Sequence, residues 1–447
     1  MNRLAKSYKE HTAQYPDYWL LLITVALTLT GLIMVYSASV VYAVTDDKPE
    51  NYYFVRELIF ALVGLLALLG ATRFDYRQLS GVSKQGWLLG SVLLVLVLIP
   101  HIGFRVFGAQ RWLRLGPLGT FQPSELMKIL LAIFLASIMS RRPDSVASIR
   151  GALLRFVIPT AIPALLIMKE PDLGTTLIVG MIGLSVYLVA GACLWYLPLV
   201  VAGLGAAVVG FVKSAQYRMD RVQVFQQMFE SPWNKHTADG YHVQQAILAL
   251  GSGGTFGLGL GSSRQKFSYL PAPHTDSIFA IIGEELGLVG ASIVVLLFVL
   301  FAWRGLRIAQ QCPDRFGALL ATGLTVGIVS QAFLNMGVVT DSIPFTGVPL
   351  PFISFGGSSL VVSLMAVGLL LSISRNAAPY EQPARTPAVL SRPRRSNKRP
   401  SRWTPQPTPQ RRAATLSTRP SRPVASGTQR RTIPVQGYAF APLQREH

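Results

Sequence analysis

Charge is what this sequence has least of. Only 14% of its 447 residues are charged, while 51% are hydrophobic. A soluble domain so poor in charge would turn too much apolar surface to water, so the chain falls in the membrane class. Acids are scarcer than bases, 21 against 41, which leaves a formal net charge of +20. That excess excludes nucleic-acid binding as a reading of the whole chain, because it is concentrated in an appendage. Residues 375–447 carry fifteen Lys and Arg against Glu381 and Glu446 alone. Cysteine is nearly missing: Cys193 and Cys312 read as small apolar filler, with no disulfide expected at the cytoplasmic face where the charge pattern puts them. No metal-ligand spacing of His and Cys is visible. The run GSGGTFGLGLGSS (Gly251–Ser263) lacks the Gly-Lys-Ser/Thr ending and the strand–helix context of a phosphate loop, and reads as a flexible approach to the segment at 264–290. The apolar run from Tyr18 to about Val44 exceeds a signal-peptide core and reads as a retained span.

What the chain does have is long hydrophobic runs. A span needs about 20 mainly apolar residues. The pattern predicts ten, at 18–43, 53–71, 87–103, 122–139, 154–168, 173–191, 194–213, 277–302, 316–338 and 355–374. The expected fold class is therefore all-α, a polytopic membrane domain over 18–374 between a cytoplasmic tail at 1–17 and a basic tail at 375–447. Positive charges set the orientation. Arg3, Lys6 and Lys9, then Arg73, Arg77 and Lys84, then Arg141, Arg142 and Arg150, then Arg304, Arg307 and Arg315 all fall on one side of a ten-helix chain. Both termini are then cytoplasmic. The opposite face receives 105–121, 169–172, a long extracytoplasmic loop at 214–276 between helices 7 and 8, and 339–354. In the long loop, 217–229 and 240–251 have helical spacing and read as short amphipathic pieces at the interface. The tail is too poor in aliphatics to fold and suits anionic lipid as its neighbour.

Charges at or inside spans are functional candidates. Glu125 and Lys128 stand three apart on one face of the fourth span; an ion pair that merely hides two charges from lipid explains them equally well. Arg105, Arg111, Arg114, Lys169, Glu170, Asp172 and Asp276 are expected on the same outer face, which suggests a water-filled cavity. Asp276 lies where a loop meets the eighth helix. It could be a plain helix cap or an ionised carboxylate favoured by the helix dipole. His274 by itself reads as a loop histidine. Of Glu284 and Glu285, one is expected to pair with a basic residue, and neither is assigned to catalysis. Three prolines and Gly347 make 340–359 a rigid, irregular segment, of the kind tolerated at membrane depth only inside protein or along a cavity. Gly356 and Gly357 permit close helix approach.

Five segments carry a resemblance: GAQRWLRLG (108–116), FQPSELMK (121–128), EPDLGTT (170–176), KFSYLPAPHTDSIFAIIGEELGLVG (266–290) and PFTGVPLPFISFGGSS (344–359). Together they resemble the SEDS family (shape, elongation, division, sporulation), which includes FtsW, RodA and SpoVE, with features closer to FtsW. The resemblance implies a SEDS fold and a peptidoglycan glycosyltransferase that polymerises lipid II at the outer face of the cytoplasmic membrane. It maps the essential loop aspartate onto Asp276 and the embedded acid–base pair onto Glu125 and Lys128. The expected substrate-binding set is Arg111, Glu125 and Lys128, with Gln122, Ser124, Asp172, His274 and Ser358 from the same motifs. Lipid II, undecaprenyl-linked glycan, a class B penicillin-binding protein (a transpeptidase), other divisome proteins and membrane lipid are the expected partners. No cofactor is certain; a divalent cation, Mg or Mn, could assist. Ser277, Asp341 and Phe355 depart from the family pattern, where an aromatic, a small residue and Tyr are usual. Two other classes fit ten helices with internal charges: a lipid II flippase and a non-catalytic scaffold that recruits a transpeptidase. Against the flippase, no convincing repeat relates the two halves.

Overall fold

The computed structural model describes residues 16–376 apart from 107–108, 115, 117–118, 142–147, 268, 272 and most of 193–237. Cys193, the expected seventh span at 194–213, the piece at 217–229 and both tails beyond residues 16 and 376 lie outside the described residues. The helices are α1 (Tyr18–Thr45), α2 (Tyr52–Arg73), α3 (Leu79–Leu98), α4 (Pro123–Ser140), α5 (Ile158–Lys169), α6 (Leu173–Val189), α7 (Ala238–Ser252), α8 (Ile278–Gln311), α9 (Arg315–Val339) and α10 (Gly357–Arg375). Eight described helical stretches are long and apolar enough to cross a membrane, and α6 is a shorter apolar helix. Helix α7 accounts for the helical spacing expected at 240–251. The third span runs earlier than the hydropathy suggests, ending at Leu98 rather than 103, because Gly103–Val106 leaves the helix as a strand.

The chain is overwhelmingly helical, as expected, and that strand belongs to its one small sheet among the described residues. β1 (Gly103–Val106), β2 (Ala109–Arg114) and β3 (Thr120–Phe121) form an antiparallel sheet in the order β1-β2-β3. Its register pairs Phe104 with Trp112 and Leu113 with Phe121. Gln110 anchors the sheet to the end of α3, its Nε2 donating to the carbonyls of Val97 (2.8 Å) and Ile99 (2.9 Å).

Contacts between distant residues identify the two ends of the bundle. At one end Arg304 pairs with Asp17, Arg77 with Asp314 (3.5 Å), and Ser372 Oγ donates to the carbonyl of Phe74 (2.6 Å). At the other end lie the sheet, the 170–172 link, the loop before α8 and the 340–356 segment. The described basic residues used to orient the chain, Arg77 and Arg304 among them, therefore gather at the first end. Helix α9 is the central post, packed against α4, α6 and α8.

Two irregularities are built in. Pro163 has no N–H to give the carbonyl of Pro159, four residues back. The Trp87 indole Nε1 donates to that carbonyl instead, at 3.1 Å. A π-helical turn at Leu153–Val157 leads into the same helix, so the prolines bend one span without dividing it. The second irregularity is in α8, which is broken at Gly287 (φ 69°, ψ −169°). The glycine-rich run plugs the break. Leu258 and Gly259 donate to the carbonyls of Glu284 (2.9 Å) and Glu285 (3.0 Å). Leu288 and Val289 donate to the carbonyls of Gly254 (2.9 Å) and Thr255 (3.1 Å). The expected flexible approach is thus a docked strap, because a broken helix offers free carbonyls and N–H groups that need partners.

Close backbone approach explains the glycines there. A Cβ on Gly287 would lie 2.3 Å from the Gly257 nitrogen and 2.6 Å from the Thr255 oxygen, in a conformation open only to glycine. Gly254 (φ +56°) has open space where its Cβ would stand. Gly287→Ala is expected to destabilise the purified protein by at least about 1–3 kcal/mol, and Gly254→Ala by about 1 kcal/mol. Melting temperatures in detergent check this, and equal shifts would contradict the strap.

Candidate functional site

The site begins at the link between α5 and α6. Asp172 caps α6: its carboxylate accepts from the Thr175 N–H (2.9 Å) and the Thr175 hydroxyl (2.9 Å). Gln122 Nε2, just ahead of α4, donates to the other side of the same carboxylate at 3.3 Å. Arg111 on β2 reaches over the link, donating through Nε to the Glu170 carbonyl (3.0 Å) and through Nη2 to the Pro171 carbonyl. Its Nη1 stands 4.0 Å from Asp172. Arg111, Gln122 and Asp172 therefore meet, as the motifs imply, though the guanidinium is held largely by backbone oxygens. Arg105 and Arg114 lie exposed on the same sheet, and Arg114 stacks over Phe104 at 4.4 Å.

One turn into α4 the Lys128 ammonium donates to both oxygens of Glu125, each at 2.9 Å, and to the Gln331 side-chain oxygen on α9. Gln331 Nε2 continues to the Pro349 carbonyl at 2.9 Å and the Ser359 hydroxyl at 3.5 Å. Both charges are buried, which excludes a simple surface ion pair. Burial of two charges is tolerable only when pairing and extra hydrogen bonds offset desolvation. These residues line one end of a cleft whose walls include Ile129, Ile182, Ile328 and Val362. The cleft follows α9 from Gln331 to Gly323, about 12 Å at the helical rise.

Asp276 is reached one turn further along α9. Asn335 Nδ2 donates to the Asp276 carbonyl (2.8 Å) and the Val348 carbonyl (2.7 Å). Ser354 Oγ donates to the Thr275 carbonyl at 2.6 Å, and the Phe355 N–H to the His274 carbonyl at 2.8 Å. Three consecutive carbonyls are thus gripped by α9 and the segment after it. The helix begins with Ser277 in the N-cap position, so Asp276 precedes the cap and is half-buried. Gly347, at φ +66°, is the residue facing it: an added Cβ would stand 3.3 Å from Asp276 Oδ2. The same turn touches α6, since a Cβ on Gly174 would strike Val348 and Thr346. The 346–348 turn therefore lies between Asp276 and the Asp172 cap.

The other expected residues are placed less directly. Ser124 is fully buried, and no hydrogen bond reaches its hydroxyl among the described residues. Ser358 is half-buried on the first turn of α10, and it is Ser359 that meets Gln331. His274 sits in an aromatic cage, its ring 4.9 Å from Tyr42, 4.7 Å from Tyr53 and 5.5 Å from Phe355. Burial pushes its pKa down to about 4, so the ring is neutral at physiological pH. The departures have local reasons. Phe355 is one wall of that cage. Ser277 meets His242 of α7 through its hydroxyl. Asp341 takes a left-handed φ of 57° just past the end of α9, a position that small residues and Asp both tolerate. Glu285 pairs with Lys266 at 3.3 Å, and Glu284 accepts from Ser263 Oγ (2.5 Å) and the Arg264 N–H (2.9 Å). The sequence reading missed Gln331, Asn335 and His242. Two amides four residues apart on an otherwise apolar span were the available signal for the first two.

Among the described residues no group of three or more His, Cys, Asp or Glu gathers as a metal cage. The arrangement defines a class: a polytopic helical membrane protein with a charged, apolar-walled cleft and, one turn further along α9, an aspartate whose backbone is rigidly held. The chain belongs to the FtsW/RodA/SpoVE family of cell cycle proteins, whose model matches residues 18–378. It is 42% identical over 363 residues to stage V sporulation protein E of Bacillus subtilis (80% of this chain, 97% of that one). It is 40% identical over 366 residues to the "probable peptidoglycan glycosyltransferase FtsW" of Trichlorobacter lovleyi (81% and 93%). In structure it is similar to a chain of a peptidoglycan synthase complex described as coordinating polymerization and crosslinking, with TM-score 0.68, 27% identity and coverage of 81% and 99%. It is also similar to the rod shape determining protein RodA of Thermus thermophilus, with TM-score 0.58, 28% identity and coverage of 81% and 97%.

Glu170 supplies a pH test of the link. It is fully buried and neither carboxylate oxygen has a hydrogen-bond partner among the described residues. Burial, helped by repulsion from Asp172, raises its pKa to about 9 against the pull of Arg111. A raised folded-state pKa stabilises fully below the unfolded value and is lost as pH rises toward 9. Glu170→Gln, which cannot ionise, is expected to melt later than the parent at neutral pH, by roughly 2–4 kcal/mol. The gap should close toward pH 4.5. Superimposable melting-versus-pH curves would contradict this placement.

Proposed function

We propose that this chain is a peptidoglycan glycosyltransferase that polymerises lipid II, with Asp276 as general base. The observation that carries the reading is the one-turn offset on α9. Gln331 holds the Lys128 ammonium at the charged end of the cleft and Asn335 holds the Asp276 backbone, so cation and aspartate are fixed one turn apart along one helix. The relatives named as glycosyltransferases support it at about 40% identity. The apolar walls suit a polyprenyl chain and the charged end a pyrophosphate.

The reaction joins the GlcNAc 4-hydroxyl of lipid II to the anomeric carbon of a lipid-linked glycan. The oxygen–carbon bond forms as the bond to pyrophosphate breaks, and the hydroxyl proton passes to Asp276. An alcohol is too weak a nucleophile without such a base. The α-linked lipid becomes a β-linked polymer, so inversion in one displacement suffices and no covalent glycosyl-enzyme is needed. Undecaprenyl pyrophosphate departs unprotonated, which calls for cations placed in advance. Lys128 and Arg111 fill that role, with Arg105 and Arg114 further out on the sheet. Glu125 pairs with Lys128 in a buried setting. In this reading the site end faces outward, both termini are cytoplasmic, a class B penicillin-binding protein is the partner, and the work is septal wall synthesis with other divisome proteins. Ser124, Asp172, His274 and Ser358 then shape the substrate cavity or its walls.

The test is a polymerisation assay on the purified full chain, with and without its transpeptidase, using lipid II on the accessible leaflet. Asp276→Asn is expected to lower the rate by about 10²–10⁴-fold, and Lys128→Ala by about 10²–10³-fold, with both variants still monodisperse. Full activity of Asp276→Asn would sink the general-base role. No glycan strands with or without the transpeptidase would favour a scaffold, and lipid II translocation without strands a flippase.

A further inference from the structure

We infer that the strap at 253–267 is a membrane-inserted wedge, seated in the bilayer leaflet on the Asp276 side, with Phe256 in the hydrocarbon and Arg264 at the headgroups. The height of each residue is fixed by the hydrogen bonds across the helix break. Arg264 N–H binds the Glu284 carboxylate, whereas Thr255, next to Phe256, accepts from the Val289 N–H. Phe256 is therefore about five residues deeper along α8 than Arg264, or about 7 Å. The bilayer boundary on α8 lies between those levels. From Leu286 to Trp303 the helix has eighteen residues without a charge, about 27 Å and close to the thickness of a hydrocarbon core.

The side chains follow that gradient. Phe256 is 83% exposed and Leu260 60%, beside Leu288 at 64% on α8 itself. At the upper level come Phe267 and Tyr269, both more than half exposed, with Arg264. Apolar tips below and aromatics with a base above are the order of a membrane interface. Phe256 stands proud and lines no groove, and its surface is continuous with the lipid-facing side of α8, so the occupant is the bilayer itself. Irregular backbone is allowed at this depth because its polar groups are bonded to the broken helix. The charges alongside are neutralised too: Glu285 is paired with Lys266 and bonded by Ser37 Oγ at 2.7 Å. Anchoring of this kind would set the height of the Asp276 loop, which comes directly after the strap in the chain. The inference rests on the membrane reading alone and stands or falls independently of glycosyl transfer.

Nitroxide labels report depth through collision with oxygen, which prefers hydrocarbon, and a nickel chelate, which prefers water. The full chain carrying Cys193→Ser and Cys312→Ser is labelled singly at Phe256→Cys, at Leu296→Cys as the bilayer reference, and at Glu50→Cys as the aqueous reference. It is reconstituted in bilayers of phosphatidylethanolamine and phosphatidylglycerol. The oxygen-to-nickel ratio at 256 is expected to exceed that at 50 several-fold and to fall below that at 296, which lies deeper. A ratio at 256 equal to that at 50 would overturn the wedge. So would a label at 256 shielded from both reagents, since that means protein covers it.

Discussion

The placement of Asp276 depends on three hydrogen bonds to three consecutive carbonyls, those of His274, Thr275 and Asp276. A carboxylate at a loop–helix seam would ordinarily wander with its loop. Here the donors come from α9 and from the rigid stretch between α9 and α10, so the seam is fixed to the bundle's central post. Pinning the backbone leaves the Asp276 side chain facing Gly347. Placement of this kind is what a base acting on a weak nucleophile needs.

The same post holds the cation. Gln331 and Asn335 are one turn apart, and each uses its amide to join two segments distant in sequence. Buried polar networks of this sort specify geometry as long as every member is bonded. The strap across the break in α8 works by the same rule. Four backbone bonds and two buried carboxylates replace what the helix loses at Gly287, and the seam continues directly from the strap. Elements that looked like separate loops are thus one connected frame around the cleft.

Much of this was legible. Hydropathy located most of the described spans within a few residues, because about 20 apolar residues in a row have few other uses, while the third helix starts eight residues earlier and the eighth ends nine residues later than expected. Charge placement found Glu125, Lys128, Arg111 and Asp172, since ions near lipid need a reason. The short sheet was not legible: β2 reads AQRWLR, without clean alternation, and pairs only because β1 lies beside it. The strap was misread for a related reason. Glycines suggest freedom in a sequence, yet here they let backbone meet backbone, and that is a property of the partner surface. His274 looked like a loop residue because its cage comes from Tyr42, Tyr53 and Phe355, three distant positions. Gln331 and Asn335 carried a signal in their spacing, but their partners, a lysine, a serine and three carbonyls, come together only in the fold.

The most direct measurement is the steady-state kinetics of Asn335→Leu in the lipid II polymerisation assay. This variant loses both carbonyl contacts while Asp276 keeps its carboxylate. The account predicts a fall in kcat of about 10²-fold with KM and monodispersity kept, because a base displaced by about 1 Å is misplaced for proton transfer without loss of substrate binding. A kcat equal to that of the parent would show that the grip on Asp276 has no part in the chemistry.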